Sequence, residues 1–218
     1  KLKHSGGNSV SLNPPSSAPT SSEVAFKLPN ADGVAGQAII TDGSGAFSFA
    51  NTIKNFGTTT ISSDQSEVDI DFDVTNYSNF KLYLEGWDPS EDCNIYCRFK
   101  ISGSINTGNN YSALTIKKYA GGFDSNEYGG ANQNHGYMSH NVGGSSQYEN
   151  YNAQLEIMTG SGTGMGFMNL STFYKDNLGG MVHNMGIVGY QNFDQIQGIR
   201  IYPSAGNITA GKYTLYGF

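Results

Sequence analysis

Side chains able to do chemistry are few in this chain, and their spacing limits what each could do. Histidines stand at positions 4, 135, 140 and 183. His135 and His140, with Glu127 and Glu149 nearby, are of the types that hold Zn, Ni or Cu through neutral imidazole, but their spacing matches no defined site. Paired carboxylates could run glycoside hydrolysis, which sets two acids about 5 to 9 Å apart. Asp69, Asp71 and Asp73 instead alternate with Val68, Ile70, Phe72 and Val74, the pattern of a strand's solvent face. Asp88, Glu91 and Asp92 have oxygens suited to Ca²⁺, yet a Pro-containing acidic cluster reads first as a turn. Glycines alternate from Gly160 to Gly166 as in a dinucleotide loop, but no helix follows, so a hairpin loop is expected. Cys93 and Cys97 in an extended run would lie ~13 Å apart at ~3.3 Å per residue, beyond the ~7 Å reach of a disulfide, which predicts two free thiols. No nucleophile elbow, phosphate loop or zinc-protease helix motif occurs. The expectation is a chain that is not an enzyme, with no catalytic residue, no metal site and no cofactor.

Binding is better provided for. Aromatic faces stack on sugar rings while amide groups hydrogen-bond hydroxyls. Trp87, Tyr128, Tyr137, Tyr148 and Tyr151 supply the rings, and Asn132 and Asn134 the amides. Most of them fall in a stretch from Gly121 to Asn152 rich in Gly, Asn, Ser and Tyr, which reads as a long loop without structure of its own. Tyr with Ser, Gly and Asn is the composition of adaptable binding loops, and Tyr is equally enriched between subunits. Glycan contact and subunit contact therefore stand as alternatives for these residues.

Such side chains need a scaffold, and composition narrows it. Of 218 residues only 14% are charged and 37% hydrophobic, beside 29 Gly, 14 Tyr and 12 Phe. With Ala, Leu, Glu and Lys sparse, helix surfaces have no supply, which argues for an all-β protein. A net charge of -6 lacks the basic footprint of a nucleic-acid partner. No apolar run approaches the ~18 residues of a membrane span, so no membrane insertion is expected. Opening at Lys1 rather than Met, the sequence reads as a fragment or a processed product.

Two regions differ along the chain. Residues 1–56 hold four of the six prolines and only short apolar pieces, at Ser9 to Leu12, Val24 to Leu28, Gln37 to Thr41 and Ala46 to Phe49, the last two joined by a turn at Asp42-Gly43-Ser44-Gly45. Pieces this short cannot bury enough area alone, so this segment is either disordered or stabilised by copies of itself. Residues 57–218 carry about nine strand candidates, from Val68 to Val74 through Lys212 to Tyr216, which indicates an antiparallel jelly-roll-like β-sandwich.

The run from Phe26 to Phe49, with Leu28-Pro29, Asp32-Gly33, Gly36-Gln37 and Thr41-Asp42-Gly43-Ser44-Gly45 at its fixed points, resembles a segment recurrent in tail-fibre and other virion structural proteins of tailed bacteriophages, especially marine and cyanobacterial ones. The end, Gly211-Lys212-Tyr213-Thr214-Leu215-Tyr216-Gly217-Phe218, is similar to the last strand of the β-sandwich at the tips of such proteins. The resemblance implies a homotrimeric fibre or spike located in the virion, with an intertwined β segment over 1–56 and a knob over 57–218. Its partners would be its own copies, other virion proteins and, through the sandwich, a host-surface glycan or receptor. The alternative is a purely architectural decoration or fibre-adaptor protein. The matching motifs are structural and carry no catalytic residue across.

Overall fold

The protein is described from a computed structural model over residues 2–3, 9–10, 27–33, 37–42, 44, 46–119, 125–144, 149–160 and 164–218, with backbone alone at 2–3, 9–10, 51 and 125–127. It divides into two compact units, Lys1–Thr52 and Ile53–Phe218.

In the first unit β1 (Leu2–Lys3) pairs with β2 (Ser9–Val10), and β3 (Gln37–Thr41) with β4 (Phe47–Asn51). The Asp42 carboxylate accepts the Ser44 and Ala46 amides at 2.7 and 3.1 Å and so fixes the connection between β3 and β4. Gly43 and Gly45 of that turn, and Val24 to Phe26 of the strand candidate before it, lie outside the described residues. Among the described residues of this unit none is buried, and Ile39 is 62% exposed.

The second unit is an all-β antiparallel sandwich. Its strands are β5 (Lys54–Ile61), β6 (Val68–Asp71), β7 (Asn79–Pro89), β8 (Cys93–Ile101), β9 (Ser104–Ile105), β10 (Tyr111–Tyr119), β11 (Ser125–Gln133), β12 (Gly136–Val142), β13 (Tyr151–Met158), β14 (Phe167–Lys175), β15 (Met181–Tyr190), β16 (Ile196–Pro203) and β17 (Ile208–Gly217). A large sheet runs β11-β10-β15-β14-β13-β7-β17-β5 and a small one β12-β8-β16-β6, with β9 beside β8. From β5 to β8, and again from β11 to β13 and β15 to β17, the chain passes between sheets, in jelly-roll fashion. Lys54, Asn55 and Phe56, placed in the N-terminal segment by the sequence reading, open β5.

Alternation makes the core. In β8 Cys93, Ile95, Cys97, Phe99 and Ile101 point inward while Asn94, Tyr96, Arg98 and Lys100 point out. Phe80, Leu82, Leu84 and Leu155 from the large sheet meet Ile95, Phe99, Ile199 and Ile201 from the small one in a single core, each such burial contributing about 1.5 to 3 kcal/mol. Both cysteines are free and buried, and burial pushes each thiol up to about 12, which leaves them unreactive. β13 and β14 pair antiparallel on either side of the glycine run, of which residues 161–163 lie outside the described residues. Val68, Ile70 and Phe72 are buried against exposed Asp69 and Asp71 as the sequence indicated, but the strand ends at Asp71 and Val74 is only half-buried.

One expectation fails. The stretch from 121 to 152 is not a long structureless loop, because it contains β11 and β12. β11 has few side chains to alternate: Gly129 and Gly130 both take positive φ, and Gly129 lies so close to the Ala113 carbonyl that only hydrogen fits there. β12 is irregular, with register shifts on either side of Ser139, so Met138, Ser139 and His140 are buried in succession and no period of two is visible.

Candidate functional site

Register sets three tyrosines in a row across the outer face of the small sheet. Tyr137 on β12 is paired with Tyr96 on β8, and Tyr96 with Tyr202 on β16. Cross-strand neighbours on one face stand close enough for their rings to pack. Tyr96 meets Tyr137 edge-on at 5.2 Å and Tyr202 at 5.8 Å. All three are half-buried, each keeping part of its ring in solvent. Asn94, two residues along β8, donates through Nδ2 to the Tyr96 hydroxyl at 3.0 Å, which fixes that ring's polar end.

The β11–β12 turn caps this row. Asn132, near the end of β11, sits at φ 58°, a left-handed conformation that Asn tolerates, and leads into the turn of Asn134 and His135. The His135 ring lies 4.1 Å from Tyr96 and 4.7 Å from Tyr137. Its Nδ1 is 2.6 Å from Asn134 Oδ1, an acceptor, so we assign the proton to Nδ1. Burial, with the Arg98 charge adding, holds the His135 pKa below its ordinary value, which leaves the ring neutral at pH 7. Arg98 donates from Nε to the Asn134 carbonyl at 3.0 Å and lays its guanidinium 5.1 Å from the centre of the Tyr202 ring. Burial raises the Tyr202 pKa and the Arg98 charge opposes the rise.

Along the same face the other cations are neutralised. Arg200 holds Asp69 through two bonds of 2.7 Å and Glu67 through one of 2.8 Å, and Lys100 meets Asp71 at 2.7 Å. The Arg200 hydrogen bond keeps the Asp69 carboxyl below the usual carboxylate range. Among the described residues no carboxylate lies within ion-pair distance of Arg98.

Behind the row, His140 is sandwiched between Tyr128 at 3.6 Å and Tyr137 at 4.9 Å, both nearly parallel to it. Burial lowers its pKa to about 4, with the nearby Lys117 and His135 charges acting in the same direction. Its carbonyl accepts the Tyr174 hydroxyl at 2.8 Å and the Lys117 ammonium at 3.2 Å. Lys117 is wholly buried, 3.7 Å from an equally buried Asp176, and burial lowers its pKa against the pull of that carboxylate. The Lys117 and Tyr174 bonds to the His140 carbonyl tie β12 to the large sheet under the tyrosines.

Four of the residues singled out in the sequence are thus brought together: Asn134 and Tyr137 on the face, Asn132 at the end of β11 just before the turn, and Tyr128 behind it. Two are elsewhere. Trp87 and Tyr151 face each other across β7 and β13, both wholly buried, with the Trp87 Nε1 donating to the Lys212 carbonyl at 3.0 Å. The cause is a bulge at Gly86 (φ 62°), which shifts the phase of β7 from Phe80, Leu82 and Leu84 to Trp87 and turns the indole into the core. Tyr148 lies outside the described residues. Tyr96, Arg98 and Tyr202 were missed, although strict alternation with Ile95, Cys97 and Phe99 marks the first two as outward.

Asp69 and Asp71 are exposed and engaged by Arg200 and Lys100. Among the described residues no group of three or more His, Cys, Asp or Glu is placed to hold a metal ion. On the opposite side of the sandwich the large sheet carries a shallow polar groove of about 360 Å³ lined by Gln154, Glu156, Asn169 and Ser171. An apolar strip of Leu114, Met185 and Ile187, each between 41% and 49% exposed, lies on neighbouring strands of that sheet.

No family model matches the chain, and no curated protein is similar to it. Among solved structures it is similar to galectin LEC-6 of Caenorhabditis elegans at 12% identity and a TM-score of 0.33, over 72% of this chain and 94% of that one.

Proposed function

We propose that this chain is a structural subunit of a tailed-bacteriophage appendage, a homotrimeric fibre or spike, whose sandwich binds a host-surface glycan through the Tyr96–Tyr137–Tyr202 face. The observation that carries the glycan reading is that row of half-exposed rings, bordered by the Asn134 carbonyl, the Asn94 amide and Arg98. Rings that expose a face beside a few fixed polar groups suit a pyranose, which offers an apolar face and a rim of hydroxyls. The phage assignment rests on the resemblance over residues 26–49 and 211–218. Trimerisation is supported by the first unit, where Ile39 and Ile40 stay exposed on a two-stranded ribbon that has no core of its own among the described residues. The partners are its own copies, other virion proteins and the host glycan; the place of action is the virion; no catalysis is assigned.

Binding of the whole chain to host cells or their extracted envelope polysaccharide is the test. Tyr96→Ala and Tyr202→Ala should each weaken binding about tenfold or more while the trimer persists in light scattering. Retained binding in both variants would remove this face from the reading. A purely architectural role is favoured by one observation, the Leu114, Met185 and Ile187 strip. If that role is the true one, Ile187→Glu disrupts assembly and the tyrosine changes leave every measurable property of the particle unaltered.

A further inference from the structure

We infer that the ligand of the tyrosine face is an acidic sugar, held by an oxyanion against Arg98. The inference rests on the glycan reading just given and adds the chemical class. Its basis is a contrast between three cations on one sheet face. Arg200 is satisfied by Asp69 and Glu67, and Lys100 by Asp71, whereas Arg98 has no carboxylate partner among the described residues.

Arg98 is also held in place. Its Nε is consumed by the Asn134 carbonyl, and its guanidinium stands 5.1 Å from the Tyr202 ring centre and hydrogen-bonds the Tyr202 side chain, so Arg98 has little freedom left to lose when a ligand arrives. The terminal nitrogens form the fork that takes a carboxylate or sulfate by two parallel bonds. With His135 neutral at pH 7, Arg98 is the cation beside the Tyr96 and Tyr202 rings. A pyranose set against the parts of those rings left in solvent brings a ring substituent to the guanidinium.

Acidic residues on the same face set a limit on how the ligand lies. Strand β6, which carries Asp69 and Asp71, is two strands from β8, about 10 Å at ~4.8 Å per strand, close to one Debye length at physiological salt. The β12 side, where Asn134 and Tyr137 stand, carries no carboxylate on its strand and is the side from which the oxyanion enters. With a formal charge of -6 the whole chain does not steer anions from a distance, so selectivity has to come from this contact.

The test uses the whole chain and five probes: glucuronate, galacturonate, glucose, galactose and glucose 6-sulfate, titrated by NMR while following the Arg98 Nε–H signal, assigned by its loss in Arg98→Gln. The expected result is that the acids saturate at concentrations at least tenfold lower than their neutral counterparts and shift that signal. Arg98→Gln should abolish the preference, with Arg98→Lys restoring part of it. Glucuronate against glucose 6-sulfate tells which oxyanion is preferred. Neutral and acidic sugars binding equally would overturn the inference and leave the glycan reading standing. Failure of all five to bind would overturn both. The comparison of sugars on the unaltered chain stands even if a variant does not fold.

Discussion

A neutral imidazole clamped between two tyrosine rings makes His140 a liability in acid. Its pKa lies near 4, against 6.5 for a free histidine, so between these values the unfolded chain binds a proton that the folded one refuses. Stability therefore rises with pH across that window and is lost as pH falls from about 6.5 to about 4. The shift corresponds to about 3 kcal/mol at one residue. His135, also depressed, adds loss of the same sign. Asp69 is depressed below 3.8 and loses its contribution only in more acid solution, which separates the two effects. Denaturant unfolding at pH 7 and pH 4.5 measures the difference. His140→Phe, which keeps a ring in the stack and removes the titration, should flatten most of it; an unchanged slope would show that His140 is not the sensor. Nothing in the sequence marks this residue as buried. It stands in a polar stretch with no period, and its burial comes from Tyr128 folding over it from another sheet.

At the level of the elements, alternation is the most readable feature of the chain and bulges are what break it. From Phe80 to Leu84 and from Cys93 to Ile101 the period of two gives the inward and outward sets directly, and the outward Tyr96 and Arg98 of the candidate face follow from it. Trp87 is misread as a surface ring because Gly86 adds one residue to the phase, and β11 and β12 are read as loop because glycine and irregular register erase the pattern. A bulge is invisible in sequence until the partner strand is known. Opposite Trp87, β17 makes its own irregularity at Gly211 (φ 125°), where a Cβ would stand 2.7 Å from the indole Cδ1 and 2.9 Å from the Gly86 carbonyl oxygen. Gly211→Ala should therefore destabilise the sandwich by about 1 to 3 kcal/mol, from backbone strain and crowding together. Gly189→Ala, whose Cβ would meet only the Ser112 carbonyl oxygen at 3.7 Å, is the control and should change the melting temperature little. Equal effects of the two would mean that the bulge is not held by Trp87.

For the molecule as a whole, the decisive boundary is where the self-sufficient part begins. Every buried hydrophobic residue described lies between Ile61 and Leu215, so the second unit has a core of its own, whereas the first has none among its described residues. The change from short Pro-rich pieces to regular strands is legible in the sequence and places the boundary at 57. It falls a few residues late because β5, at the sheet edge, is exposed along most of its length and shows no alternation. Its first residues nevertheless hold the sandwich closed. Lys54 and Asn55 pair with Gly217 and Tyr216, and Phe56 packs edge-on to Tyr77 at 5.6 Å and beside Phe80 at 6.4 Å. A fragment of residues 53–218 should fold cooperatively and run as a monomer in light scattering, while the whole chain runs as a trimer. A fragment of residues 57–218 loses Phe56 and two ladder pairs, about 2 kcal/mol, and should melt about 4 to 8 °C lower. Equal melting temperatures would move the boundary back to 57. A trimeric 53–218 fragment would place the subunit contacts on the sandwich itself, with the Leu114, Met185 and Ile187 strip as the first surface to change.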